Sequence, residues 1–215
     1  MSKAFSIANI MPSRDGFTIS QNAKMGSENN VTYFFLGEDT SISRESYDTT
    51  TLYLGSAGSA EFLLGEDAER VELTAGDLLM VPGETLCGVE CAEGAVYTEI
   101  IINKEVSMNK VVNPGQELKL KDLISYEKGS IVNLDIAKND TMKYVLMAFD
   151  EGTGLTPHRA PGNALVTALE GEAVIGYEGE DHVLKEGESF RFAIDGLHSV
   201  TANQQFKMSL LLVLE

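Results

Sequence analysis

Short apolar runs recur along most of this chain, broken by turn-forming residues about every ten positions. Residues 31–36, 51–54, 60–64, 70–73 and 78–81 make one such series; 143–149, 163–169, 173–177, 182–184 and 189–193 make another. Gly, Asp, Glu or Pro stand between the runs. This rhythm predicts many short strands, and so an all-β sandwich, jelly roll or barrel. One stretch differs. Residues 114–125 place Leu118, Leu120, Leu123 and Ile124 near helical spacing behind Pro114 and Gly115, which predicts a short helix.

The pattern also repeats itself. Ile42, Ser43, Arg44 and Glu45 line up with Leu155, Thr156, Pro157 and His158 at an offset of 113. The same offset sets Leu52 on Leu165, Gly58 on Gly171 and Ala60 on Ala173. Past the next hairpin the offset falls to 111, so that Gly76 and Asp77 meet Gly187 and Glu188, and Cys87 meets His198. Residues 96–102 then match 208–214. Two copies of a β unit of about 100 residues fit this better than one large barrel. The polar stretch 103–114 is the expected seam, giving domains 1–106 and 107–215 with the helix near the start of the second.

Charge narrows the class of partner. Sixteen Lys and Arg stand against thirty-three Asp and Glu, a net charge of −17. Such a surface repels phosphate backbones and anionic lipid heads, which excludes nucleic acid and membrane surfaces as partners. The first 25 residues carry charges and lack a continuous apolar core, and no apolar run approaches the length of a membrane span. Cys87 and Cys91, if on one strand, sit ~13 Å apart, beyond disulfide reach. A cytoplasmic protein with free thiols is the expectation. No Gly-rich phosphate loop or nucleophile elbow occurs, and Cys87 has no His in its own copy to activate it.

The histidines are all in the second copy, and two of them carry a motif. Gly152, His158, Ala160, Ala164 and Gly171 follow the spacing G-x5-H-x-A-x3-A-x6-G; Gly187, Ala193, Asp195 and His198 follow G-x5-A-x-D-x2-H, fifteen residues on. These resemble the two motifs of the cupin superfamily, G-x5-H-x-H-x3,4-E-x6-G and G-x5-P-x-G-x2-H. With the internal repeat, the whole chain looks like a bicupin, two tandem jelly-roll β-barrels. A cupin metal is usually held by two His and one Glu from the first motif and one His from the second. Carried over by position, the chain keeps His158 and His198, with Ala160 at the second His position and Ala164 at the Glu position. The first copy departs further: Glu45 stands at the His158 position, Tyr47 at that of Ala160, Thr51 at that of Ala164 and Cys87 at that of His198. The amino-terminal site is therefore degenerate.

The resemblance implies a small-molecule ligand in the carboxy-terminal barrel and a divalent transition metal, Zn, Ni, Fe or Mn, on His158 and His198. Isomerisation, decarboxylation and dioxygenation all occur among cupins, and the fold does not choose between them. The alternative is a metal-free, non-catalytic ligand-binding or structural cupin. Four more residues are candidates for a third ligand or a substrate contact. His182 shares strand parity with Leu184, against the ordinary reading of a packed histidine. Asn163 and Arg159 flank the first motif, against a loop-capping amide and a solvated guanidinium. Arg191, between Phe190 and Phe192, anchors an anion only if it points inward. The expected assembly is a compact two-barrel monomer or a homodimer.

Overall fold

A computed structural model describes residues 3–26 and 30–214. The regular secondary structure is nearly all strand. In order these are β1 (Thr18–Asn22), β2 (Asn30–Leu36), β3 (Thr40–Glu45), β4 (Thr50–Leu64), β5 (Glu69–Thr74), β6 (Asp77–Val81), β7 (Cys87–Cys91), β8 (Ala95–Ile102), β9 (Ser107–Met108) and β10 (Glu117–Lys119). There follow β11 (Ile131–Lys138), β12 (Met142–Phe149), β13 (Gly154–Arg159), β14 (Asn163–Glu170), β15 (Glu172–Tyr177), β16 (Glu180–Lys185), β17 (Ser189–Phe192), β18 (Leu197–Thr201) and β19 (Phe206–Val213). Among the described residues no helix is long and apolar enough to cross a membrane.

The chain divides into two compact units. One comprises residues 7–105 and 110–119; the other comprises the amino-terminal segment ending at Ser6, residues 106–109, and everything from Leu120 onward. Each unit thus borrows a short segment across the seam in sequence. Phe5 exchanges two backbone hydrogen bonds with Ser189 on β17, at 2.9 and 2.7 Å. Residues Glu117–Lys119 pair antiparallel with β6.

In the amino-terminal unit one sheet runs β1-β2-β8-β4-β6-β10, while β5 and β7 pair with the far end of β4 and β3 pairs with β7. The 15-residue β4 serves both sheets by bending at Gly55 and Gly58. In the carboxy-terminal unit the equivalent strand is broken into β14 and β15 at Gly171, and two sheets result, β17-β14-β19-β12-β11-β9 and β13-β18-β15-β16. Gly58 and Gly171 occupy matching corners. Both have positive φ, 65° and 74°, and a Cβ would lie 2.1 Å from the Gly94 carbonyl and 2.4 Å from the Gln205 carbonyl. Only glycine tolerates both constraints.

Strand alternation builds a core between the two sheets of each unit. Val145, Met147 and Phe149 of β12, Ala164, Val166 and Ala168 of β14, Phe206 and Met208 of β19, and Ile175 of β15 form one core. Tyr53 and Phe62 of β4, Leu79 of β6, Val89 of β7 and Tyr97 of β8 form the other.

Two expectations are corrected here. The helix over 114–125 reduces to a single 3-10 turn, Leu120–Leu123. Its first half is extended, because Leu118 pairs with Leu78 and Lys119 reaches the buried Asp77 carboxylate at 2.7 Å. A helix would forfeit both, and residual periodicity in a short polar segment does not outweigh a ladder and a buried ion partner. The final strands are also offset by one residue from the expected match. Tyr53 opposes Glu99 and Val166 opposes Leu210, so β8 and β19 correspond at 111 and Glu99 is the counterpart of Leu210. A slip of one residue exchanges every inward position for an outward one.

Candidate functional site

β13 and β18 pair antiparallel across a bulge between Leu155 and His158, and this register sets His158 directly opposite His198. The ring centroids are 4.2 Å apart with planes at 52°. His198 is buried and stacks on Phe192 at 4.1 Å and 23°; His158 is exposed. Each imidazole is oriented by its own backbone in the same way. His158 Nδ1 is 2.9 Å from the Thr156 carbonyl oxygen, and His198 Nδ1 is 3.0 Å from that of Gly196. A carbonyl only accepts, so each neutral ring donates from Nδ1 and carries its lone pair on Nε2. Burial lowers the pKa of His198, and the neighbouring His158 lowers it further, against the Gly196 hydrogen bond, which raises it. His198 therefore favours the neutral form, and the two Nε2 atoms face the ligand or metal as acceptors.

Both rings line a cavity of about 310 Å3 within the carboxy-terminal unit. Its walls are largely apolar, from Val145, Met147, Leu155, Leu210 and Leu212. Ala160 and Ala164 line it too, so the positions that the motif resemblance assigns to a further His and a Glu face the cavity and leave it roomy. Two polar side chains complete the lining, Asn133 and Lys143. At the Asp195 position, where the motif has glycine, φ is 60°; this left-handed backbone is one that aspartate tolerates. Its carbonyl accepts a hydrogen bond from the Arg159 guanidinium, which ties the loop before His198 to the strand carrying His158.

The other candidates lie elsewhere. His182 shares the inward parity of Leu184 but packs on Phe190, ring to ring at 5.1 Å, and does not line the cavity. Asn163 alternates with the inward Ala164 and so takes the opposite face of β14. Arg191 sits between the core residues Phe190 and Phe192 and is turned to the other face of β17, opposite Leu165. The structure brings together His158 and His198, and adds Asn133 and Lys143, which sequence reasoning missed. Lys143 carried a signal: it stands at the same parity as Val145 and Met147, a lone charge on an otherwise apolar inward face.

In the amino-terminal unit the register is reproduced with different chemistry. β3 and β7 pair across a bulge between Ile42 and Glu45 that sets Glu45 opposite Cys87. Tyr47 donates to Glu45 Oε2 at 2.9 Å, and the pKa of its phenol is raised by that bond first and burial second. Cys87 is a free thiol, 3.9 Å from the Tyr53 hydroxyl. Burial pushes its pKa up to about 11, so it stays protonated and unreactive at neutral pH. Thr51 is buried on β4. Burial also raises the Glu99 carboxyl, against a hydrogen bond with Tyr53 that lowers it. Among the described residues there is no cluster of three or more His, Cys, Asp or Glu able to hold a metal. The donor set at His158 and His198 fits an ion with two protein ligands and further coordination from small molecules or water, and does not fit a four-ligand protein cage.

Residues 145–214 match the family model for the cupin domain. No curated protein matches the chain in sequence. Among solved structures, the Cupin 2 conserved barrel domain protein from Leptotrichia buccalis is similar, with a TM-score of 0.86 and 24% identity over 98% of this chain and 96% of that one. Salicylate 1,2-dioxygenase from Pseudoaminobacter salicylatoxidans, in its gentisate adducts, is similar at a TM-score of 0.69 and 11% identity, over 99% of this chain and 81% of that one. Likeness at such identities speaks for the fold.

Proposed function

We propose, from the premise that this chain belongs to the cupin superfamily, that its carboxy-terminal unit binds a small organic molecule in the His158/His198 cavity. The observation that carries this reading is the pairing of two imidazoles, both with Nε2 lone pairs available, on the wall of a largely apolar cavity of about 310 Å3. Apolar walls with a few convergent polar groups are what small-molecule sites look like. The gentisate carried by the dioxygenase relative supports the same class of ligand. The two free thiols suit a reducing, cytoplasmic setting.

A divalent transition metal of the Zn, Ni, Fe or Mn class is held, in this reading, by His158 and His198. When bound, such an ion supplies Lewis acidity to an oxygen or nitrogen of the ligand. The chain's own part is to fix both tautomers through the Thr156 and Gly196 carbonyls, to stack His198 on Phe192, and to enclose the ligand between apolar walls. The absence of a third His, Cys, Asp or Glu donor among the described residues favours a second reading, in which the two Nε2 atoms accept hydrogen bonds from the ligand with no metal.

Metal content decides between them. Protein purified without a histidine tag and equilibrated with Zn2+, Ni2+, Mn2+ or Fe2+ is expected to retain one ion per chain. His158→Ala and His198→Ala should each abolish retention, because one imidazole does not hold a divalent ion against water. Glu45→Gln and Cys87→Ser should leave it unchanged. No retained ion in the wild type leaves the metal-free reading. Loss in Glu45→Gln or Cys87→Ser would move the site to the other unit.

A further inference from the structure

The inward face of the carboxy-terminal sheet carries one row that crosses three strands. Ala164 of β14 opposes Leu212 of β19, and Leu212 opposes Lys143 of β12. Ala164 and Lys143 are therefore two strand spacings apart, about 10 Å. All three line the same cavity as His158 and His198, which come from the facing sheet. Lys143 is the one Lys or Arg in that lining. Its ammonium is 2.9 Å from Asp135 Oδ1 on the neighbouring β11, a half-exposed pair that steadies the lysine at little energetic gain. An ammonium has three N–H donors, so Asp135 leaves donors for a second acceptor. The amide of Asn133, also on β11, adds another polar group on the same side.

We infer that Lys143 anchors the anionic head of the ligand, and that the site takes small amphipathic monocarboxylates. This rests on the small-molecule reading of the cavity given above. The carboxylate accepts from Lys143 and Asn133, the body lies along Val145, Leu210 and Leu212, and its far end faces the Nε2 atoms of His158 and His198. The charge logic is local. In a chain of net charge −17, an anion is drawn only to a cation held close to it, and desolvation by the apolar walls strengthens that contact. A phosphate fits less well: three acceptor oxygens meet one ammonium and one amide, with apolar wall beyond them, leaving acceptors unsatisfied. Size limits the body. A cavity of about 150 Å3 accepts benzene, and this one, at about 310 Å3, accommodates one substituted ring or a short chain.

The test uses benzoate, benzamide and phenyl phosphate against the full chain, read by proton NMR of the imidazoles. Only three histidines are present, and His182, outside the cavity lining, is the internal reference. Benzoate is expected to shift His158 and His198 and to bind at least about tenfold more tightly than benzamide, the lower range for a charge-assisted hydrogen bond. Lys143→Met keeps the aliphatic stem and should bring that ratio to about one, through a larger loss of benzoate than of benzamide affinity; Lys143→Arg should preserve it. Equal affinities in the wild type, a ratio that survives in Lys143→Met, or a preference for phenyl phosphate would overturn the carboxylate assignment while leaving the cavity reading intact. If no probe moves His158 or His198, the cavity reading itself falls, and this inference falls with it.

Discussion

The two units share a strand framework and differ in where they put their bulk. Registers equate Phe34 with Met147, Tyr53 with Val166, Phe62 with Ile175 and Tyr97 with Met208. In the amino-terminal unit the four aromatic rings meet at the centre: Tyr53 lies 4.6 Å from Phe62 and 5.8 Å from Tyr97, and Tyr97 stacks on Phe34 at 5.1 Å. The carboxy-terminal unit moves its aromatics to β17, as Phe190 and Phe192, and to the Phe149–Phe206 contact. What remains between is aliphatic and smaller, and of these four positions Met147 lines the cavity. The facing pair on the bulged strands follows suit. Where space is open, two histidines face each other; where aromatic rings fill it, an acid and a half-buried thiol stand in the same register. One framework therefore yields either a packed core or a binding site, decided by a few side-chain volumes rather than by topology.

The sharpest way to break this comparison is to remove bulk from both centres. Tyr53→Ala should destabilise the protein by about 3–5 kcal/mol, the range for deleting a large side chain from a packed core. Val166→Ala, at the equivalent position beside the cavity, should cost only about 1–2 kcal/mol. Urea denaturation of both variants measures this. Equal losses would mean that the two interiors are packed alike.

The converse exchange should close the site. Val166→Tyr imports the residue of the amino-terminal unit into the core opposite Leu210, which lines the cavity. Overpacking costs about 1–3 kcal/mol in a filled core and less where a cavity absorbs the ring. Benzoate binding should fall at least tenfold while the circular dichroism spectrum stays native. Undiminished binding would place the probe outside this interior.

Adding donors should sharpen the difference further. Ala160 and Ala164 are 4% and 2% exposed and both line the cavity, so new side chains there project into ligand space. Ala160→His with Ala164→Glu should raise metal affinity by about 10–100-fold, the scale on which supporting ligands act. A folded double variant with unchanged affinity would show that the strand positions do not converge on the histidine pair.

Much of this was legible in the sequence because spacing survives where identity does not. The repeat, and with it the matching of Glu45 and Cys87 to His158 and His198, follows from offsets of 113 and 111, and the bulged strand pairs β3–β7 and β13–β18 reproduce them in space. Cys87 and Cys91 do share one strand and remain free. The helix failed at Leu118, where apolar spacing fits a turn as well as a strand and only the partner, β6, decides. The last strands were matched one residue out, since runs of Ile and Leu align equally well at either offset. That slip hid Glu99 as an inward group. Lys143 was obscured for a related reason: a charge at the head of an apolar strand reads as a cap until the sheet shows which face it shares.

The smallest expected effect is a difference in pH response between the units, measured in the presence of a chelator so that no metal competes. Burial lowers the pKa of His198 in the folded state below its ordinary value of 6.5. Below about pH 6.5 the unfolded chain then binds the proton more readily than the folded one, so stability is full above that value and is lost as pH falls toward the lowered one. Glu99 acts in the opposite sense. Burial raises its folded pKa above 4.5, so the folded state keeps the proton longer, and stability is lost as pH rises from 4.5 through the raised value. Hydrogen exchange, corrected for its intrinsic pH dependence, reads each unit separately. Protection in the carboxy-terminal unit should decline as pH falls below 6.5 and become flat in His198→Gln. Protection in the amino-terminal unit should decline as pH rises above 4.5 and become flat in Glu99→Gln, which should also be the more stable protein at neutral pH. A wild type in which both units respond with the same slope would show that His198 and Glu99 are not the groups that distinguish the two interiors.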